Sequence, residues 1–293
     1  MNKENRHNFT GDFQREAKEL LPSKEINLSD FALFLSVMRH KKAYQNVLSI
    51  IMEEQELRLV QVHVEEVILN KSGKRAIRLD ARAWDEKGRS FAAEMQNDTS
   101  QDDMRRRARY YQSLLDTPIL KAGRETKYKE LPVTVIIFIT QEDIFNRDLA
   151  KYTFREQCKE VKDLYLEDGT TKIFLNMKSK NGRPELISLL QYMKNTTLEN
   201  PEILVQDERI VELDAIVREV KESDEWEEAQ MSILSVGIEK GRQEGMEQGL
   251  EKGRREGIEA AKKAIRLSAQ GVEPEEIAKL LGISLENVMQ IIE

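Results

Sequence analysis

Apolar and polar residues alternate along this chain with two different periods. At Phe31, Phe34, Val37 and Met38, then Val47, Leu48, Ile51 and Met52, apolar side chains recur at helical spacing, which predicts a helical stripe over 30–52. Residues 58–69 carry Val60, Val62 and Val64 on alternate positions, the period of a strand with one buried face. Two more strands are expected at 75–84 and 89–96. The run LPVTVIIFIT (131–140) is apolar on both faces and reads as a strand covered on both sides. TKIFLN (171–176) is a further short strand, and helices are expected at 101–116 and near 185–194. Strands interleaved with helices predict an α/β fold with a mixed sheet flanked by helices.

Past residue 200 the pattern becomes almost continuously helical. Glycines fall at 237, 241, 245, 249, 253 and 257, one every four residues, with helix formers between them. Each interior glycine costs about 1 kcal/mol against alanine. Close helix–helix contact through the glycine face would offset that cost; the other reading is a solvated spacer helix. A repeat of four exceeds 3.6, so any supercoil should be right-handed. The final segment reads as a helix stopped by Gly271, a helix started by Pro274, a turn at Gly282 and a helix capped by Ser284. That outline resembles a helix-turn-helix, but Leu285 to Glu293 holds no Lys or Arg, so a packing module is expected over a groove reader. Four regions follow: an N-terminal arm (1–29), an α/β domain (30–200), a long helical segment (201–262) and a small helical module (263–293).

Composition narrows the function classes. With 40% hydrophobic and 34% charged residues, the 293-residue chain can bury a core, which excludes global disorder. Its net charge of −7 argues against coating nucleic acid by bulk charge, so any such binding must use a local patch. No apolar run approaches the roughly 18–20 residues of a membrane span. The first residues lack the apolar stretch of a secretion signal. Cys158 is alone, and His7, His40 and His63 are scattered without ligand spacing, so neither a disulfide framework nor a zinc cluster is expected. A reducing, cytoplasmic setting is the expectation.

The segment RAIRLDARAWDEKGRSFAAEMQ (75–96) carries the candidate chemistry. Strict alternation would put Ile77, Leu79, Ala81 and Ala83 on one face and Arg78, Asp80 and Arg82 on the other; Glu94 and Gln96 share a face of the next strand. A three-residue loop Glu86-Lys87-Gly88, with Gly88 left-handed, would place Arg82 opposite Ala92, Asp80 opposite Glu94 and Arg78 opposite Gln96. Facing carboxylates roughly 4.5–5.5 Å apart at Cβ repel unless a cation separates them. Hard oxygen ligands suit Mg²⁺ or Mn²⁺. The alternative is a solvated hairpin face neutralised by Arg78 and Arg82. On the next helix, Met104, Ala108, Tyr111 and Leu115 form the apolar stripe. Arg105, Arg106, Arg109, Tyr110 and Gln112 flank it and suit phosphate or base contact; a wet arginine face on a core helix is the other reading.

The blocks RLDARA…EMQ, RARYYQSLLD, VIIFIT, KYTFREQC and DGTTKIFLN, in order over residues 25–200, resemble the recombination-promoting nuclease (Rpn) family of transposases, part of the PD-(D/E)XK nuclease superfamily. The resemblance implies a restriction-endonuclease-like core with a long helical C-terminal extension. It implies Mg²⁺-dependent hydrolysis of DNA phosphodiester bonds, with Mn²⁺ as an alternative ion, in recombination or transposition. Carried over, Asp80 and Glu94 are metal ligands and catalytic residues. Gln96 joins them, standing where many superfamily members have lysine. Arg107, Arg109 and Tyr111 match the basic-aromatic helix that positions substrate. One departure stands out: relatives often carry a further acid on the first core helix, where this chain has Arg39, His40, Lys42, Asn46 and Ser49. Two acids hold a metal more weakly than three. The alternative expectation is therefore a weak or inactive nuclease fold acting as an oligomerising interaction protein. Expected partners are DNA and a second copy through the C-terminal helix, with no membrane.

Overall fold

The computed structural model describes residues 26–70, 72–100, 102–120 and 126–292, without the side chains of 231–245, 247–250 and 253. Most of the expected arm (1–29) lies outside these residues. Its end is anchored: Leu28 is fully buried, and its amide donates to Thr196 Oγ1 at 2.7 Å. The described residues fall into two compact units, one running to Ala229 and the other starting at Gln230.

The first unit is built on a six-stranded mixed sheet. Its strands are β1 (Leu59–Ile68), β2 (Ile77–Asp85), β3 (Ser90–Gln96), β4 (Thr134–Thr140), β5 (Lys151–Phe154) and β6 (Thr170–Asn176). The spatial order is β1-β2-β3-β4-β6-β5. β1–β2–β3 form an antiparallel meander, β3–β4–β6 are parallel, and β5 runs antiparallel on the edge. β4 is buried at every position, as its two-sided apolar run requires. β5 was not expected from the sequence: four residues with two exposed give no usable alternation.

Helices cover both faces. On one lie α1 (Phe31–Met38), α2 (Lys41–Met52), α4 (Pro184–Lys194) and α5 (Glu208–Lys221), packed with Ala81, Ala83, Phe91, Ala93 and Ile137 into the main core. On the other lies α3 (Met104–Asp116), whose Met104, Ala108, Tyr111 and Leu115 pack on Ala92, Ile136 and Phe138. The stripe expected as one helix over 30–52 is two helices. The chain turns extended at His40, in a polar run Arg39-His40-Lys41-Lys42 that offers no apolar side chain to hold a continuous face. The unit also runs past residue 200, because Ile210, Leu213, Val217 and Trp226 are buried in the same core.

In the second unit α6 (Asp224–Ala269), which begins in the first, is continuous through all six repeated glycines. The expected contact through Gly237–Gly253 falls on side chains outside those described. At Gly257 an added Cβ would meet nothing within 4 Å. The end of α6 packs with α7 (Pro274–Leu281) and α8 (Leu285–Ile292) around Ala264, Ile277 and Val288. Gly271 and Gly282 are left-handed, at φ +81° and +65°, and Ser284 Oγ accepts from Asn287 N, which matches the punctuation expected from the sequence.

Candidate active site

The β2–β3 hairpin closes as its turn chemistry requires. Gly88 sits at φ +75°, and Asp85 Oδ1 accepts from the amides of Lys87 and Arg89. The rungs Trp84↔Ser90, Ala83↔Phe91, Arg82↔Ala92 and Ala81↔Ala93 follow the expected register. Past Ala81 and Ala93 the paired rungs stop, while β3 stays paired to β4 as far as Gln96↔Thr140.

The expected shared face of Arg78, Asp80 and Arg82 needs correction. Ile77 and Leu79 are buried on the α3 side, whereas Ala81 and Ala83 are buried on the opposite side. Alternation therefore inverts at Asp80. β1 inverts at the same rung: Val64 packs towards the main core, Ile68 towards α3, and Glu65 between them has φ +53°. This left-handed residue of β1 lies within the β1–β2 pairing, whose register is the same on either side of it (Val64↔Ala81, Glu66↔Leu79). The result separates the three residues. Arg78 lies 5.5 Å over the Phe31 ring of α1, and Arg82 lies 4.3 Å over Trp84 and pairs with Glu66 at 3.2 Å.

Asp80, at the inversion, reaches across the opening between β2 and β3. Its Oδ2 accepts from Met95 N at 2.9 Å, and its own amide donates to Glu94 Oε1 at 3.0 Å. Each carboxylate thus replaces a rung that the diverging strands no longer make. Behind them Tyr44 of α2 donates its hydroxyl to Ala81 O at 3.2 Å. Glu94 is 1% exposed, and its Oε2 accepts from Arg107 Nη2 and from Tyr111 OH, both at 3.1 Å. Arg107 Nη1 donates to Gln96 Oε1 at 2.7 Å, while Gln96 Nε2 donates to Asp98 O.

The electrostatics are unusual for two acids near one arginine. Burial, with the Asp80 charge beside it, pushes the Glu94 carboxyl up to about 8. Burial likewise raises Asp80 to about 6, against the pull of the Met95 amide and of Arg107 and Arg78. Burial lifts Tyr111 to about 12, and the Glu94 charge adds to it. In both carboxyls burial outweighs what the local donors supply.

Asp80 opens on a cavity of about 590 Å³ lined by Arg75, Arg78, Arg106, Arg107, Tyr110 and Tyr111, among others. Of the residues expected to act, Asp80, Glu94, Gln96, Arg107 and Tyr111 come together. Arg109 is exposed and does not line the cavity. Arg75 and Tyr44 gave no signal in the sequence, since only the tertiary fold carries them here. The polar positions on the first core helices face elsewhere: Lys42 and Asn46 bind Glu212 of α5, and Ser49 Oγ donates to Asn46 O.

Two carboxylates with oxygen donors, held by backbone amides and raised chiefly by burial, fit a hard divalent cation in kind. In number the set is thin: among the described residues no group of three or more His, Cys, Asp or Glu side chains could hold a metal ion.

A family model described as PD-(D/E)XK nuclease family transposase matches residues 29–234. No curated protein and no solved structure matches the chain.

Proposed function

Because this chain belongs to the PD-(D/E)XK nuclease family of transposases, a family whose nucleases generally use divalent metals, we propose that it is a Mg²⁺-dependent DNA endonuclease acting in recombination or transposition. The observation that carries this reading is the joining of Asp80 and Glu94 by paired strand-to-strand hydrogen bonds, with Asp80 lining an arginine-rich cavity and Glu94 buried behind it. Asp80 and Glu94 are the residues that hold the ion. Bound there, Mg²⁺ or Mn²⁺ supplies polarisation of the scissile phosphate and a water of lowered pKa. Tyr111 and Arg107 hold Glu94 in place by two hydrogen bonds to one oxygen. Gln96, neutral, orients water or a phosphate oxygen. Arg75, Arg78 and Arg106 offer the DNA backbone a local positive patch that the net charge of −7 does not supply. Arg109 extends that contact on the exposed side of α3.

Plasmid nicking tests this reading. Cleavage should require Mg²⁺, stop with EDTA and be lost in Asp80→Ala and Glu94→Ala. Calorimetry should show ion binding in the wild type and none in Asp80→Ala. Cleavage that survives both substitutions ends the assignment.

A second reading has its own support. The first core helices carry no acid at the site, and their polar residues are spent on α5. An oligomerising protein built on a catalytically weak nuclease fold fits that observation. It predicts no heat of metal binding and an assembly, formed through α6, that dissociates when residues 237–293 are removed.

A further inference from the structure

We propose, resting on the nuclease reading above, that Arg107 is the cationic group of the site: its guanidinium on α3 supplies, beside Glu94 and Gln96, the positive charge that the scissile phosphodiester meets. β3 delivers Glu94 and Gln96 two positions apart towards α3, and neither carries positive charge. The charge comes from the next element. Asp103 caps α3, accepting from the amides of Arg105 and Arg106, and so sets the phase of the first turn. With Met104, Ala108 and Tyr111 committed to the core, Arg107 is left at the edge facing β3.

The guanidinium makes a specific set of contacts. Nη1 donates to Gln96 Oε1 at 2.7 Å and Nη2 to Glu94 Oε2 at 3.1 Å. Nε and Nη2 donate to Tyr111 OH at 3.0 and 2.7 Å. The cation lies 5.1 Å over the Tyr111 ring and 5.7 Å from that of Phe138, which hold it in one orientation. Arginine has five N–H donors, so among the described residues one Nη1 hydrogen has no partner, and the side chain lines the cavity. Arg75, Arg78 and Arg106 line that cavity too, but none bonds Glu94 or Gln96. An arginine serving only to neutralise Glu94 would have no reason to hold Gln96 as well. A charge stationed between the two residues, with a donor left over, is arranged for an anion.

The test exploits the 2.7 Å contact: a lysine at position 96 would bring its ammonium to the place the guanidinium occupies. Full-length chains are compared on supercoiled plasmid with Mg²⁺. Arg107→Gln should cut the turnover rate by about a hundredfold, the scale of losing one preorganised donor at a developing negative charge. DNA affinity, measured with Asp80→Asn to prevent cleavage, should change far less. The double variant Arg107→Gln/Gln96→Lys should recover most of the rate, and Arg107→Lys should lose little of it. Melting temperatures accompany each chain. If Arg107→Gln does not fold, Arg107→Lys and the double variant carry the test, and inactivity of both when folded overturns the proposal. It is equally overturned if Arg107→Gln cleaves as fast as wild type, or if the double variant is folded yet as slow as the single. A wild-type chain that cleaves nothing overturns the nuclease reading and this proposal together.

Discussion

Two acid pairs sit at the two ends of the same hairpin, one of them completed by Glu54 from the turn after α2, and they live in opposite electrostatic conditions. At the turn end, Asp85 and Glu54 meet Arg89: Nε reaches Asp85 Oδ2 at 2.7 Å, and Nη1 and Nη2 reach the two Glu54 oxygens at 2.6 and 2.7 Å. Asp85 Oδ1 takes two backbone amides besides. The Arg89 hydrogen bonds hold the Glu54 carboxyl below its ordinary value. At the open end, Arg107 bonds Glu94 and reaches Asp80 only through its charge, as Arg78 does, and burial raises both carboxyls. Residue type does not separate the pairs, and Asp85 is as buried as Asp80; donor supply does. Acids with dedicated donors hold the turn together. Acids buried in excess of their cations keep an appetite for positive charge, which is what a metal site requires.

The sharpest break of this comparison is to remove one acid from the open end. Asp80→Ala or Glu94→Ala should lower plasmid cleavage by at least about a hundredfold, comparable to losing a preorganised electrostatic contact at the reacting group. Arg89→Ala should leave cleavage within a few-fold. Its effect should appear in stability: stripping the Nε partner from the buried Asp85 and the bidentate partner from Glu54 should cost about 3 kcal/mol, read from urea midpoints at unchanged slope. If Arg89→Ala abolished cleavage at unchanged stability, the two ends would not be functionally distinct.

This division was half legible in the sequence. The register of β2 and β3 followed from the Glu86-Lys87-Gly88 loop, because only one residue there needs φ > 0. The periodicities placed most strands and α3 for the same reason: both are local. The inversion at Asp80 was not legible. It depends on Glu65, a residue without special left-handed preference, adopting φ +53° on a different strand. Leu79 and Ala81 are both apolar, so either face accepts either residue and the pattern stays silent. The clamp of Arg107 on Glu94 and Gln96 was hidden likewise. It takes the phase of α3 relative to β3, set by the Asp103 cap and by packing against Phe138. β5 escaped because an edge strand of four residues, Lys151–Phe154, is specified by pairing with β6.

The ends should also separate in pH. Asp80 and Glu94, raised to about 6 and about 8, bind protons more tightly folded than unfolded, where carboxyls titrate near 4. Their contribution to stability is present in full below that ordinary range and is lost as pH rises through the folded values. Arg107, Arg78 and Tyr111 moderate the loss, while the Glu65 charge deepens it. In EDTA, the melting temperature should therefore fall between about pH 5 and 8, and Asp80→Asn/Glu94→Gln should flatten that slope. Glu54 acts in the opposite sense: its lowered value adds stability above the ordinary range that disappears as pH falls through the folded value. Excess Mg²⁺ should flatten the wild-type slope as well, since it binds the ionised pair. A slope unchanged by the double substitution would place the titrating groups elsewhere.

The smallest effect concerns the arginines themselves. Arg89 is consumed by its acids, whereas Arg75, Arg78 and Arg106 surround the open cavity with weaker attachments: Arg78 sits 3.9 Å from Glu65, and Arg106 sits 3.3 Å from Asp103 with its side chain 80% exposed. Cations held this loosely contribute little to folding, since exposed pairs are worth at most about 1 kcal/mol. They remain free to displace counterions from a phosphate backbone. In an Asp80→Asn chain that binds without cutting, Arg75→Ala and Arg106→Ala should each reduce the slope of log affinity against log salt by about 0.9 on duplex DNA. Arg89→Ala, in the same chain, should leave that slope alone while still lowering the urea midpoint. A salt slope that responds to Arg89 as strongly as to Arg106 would mean that DNA tracks the whole hairpin, so that the contrast between its ends concerns the metal alone.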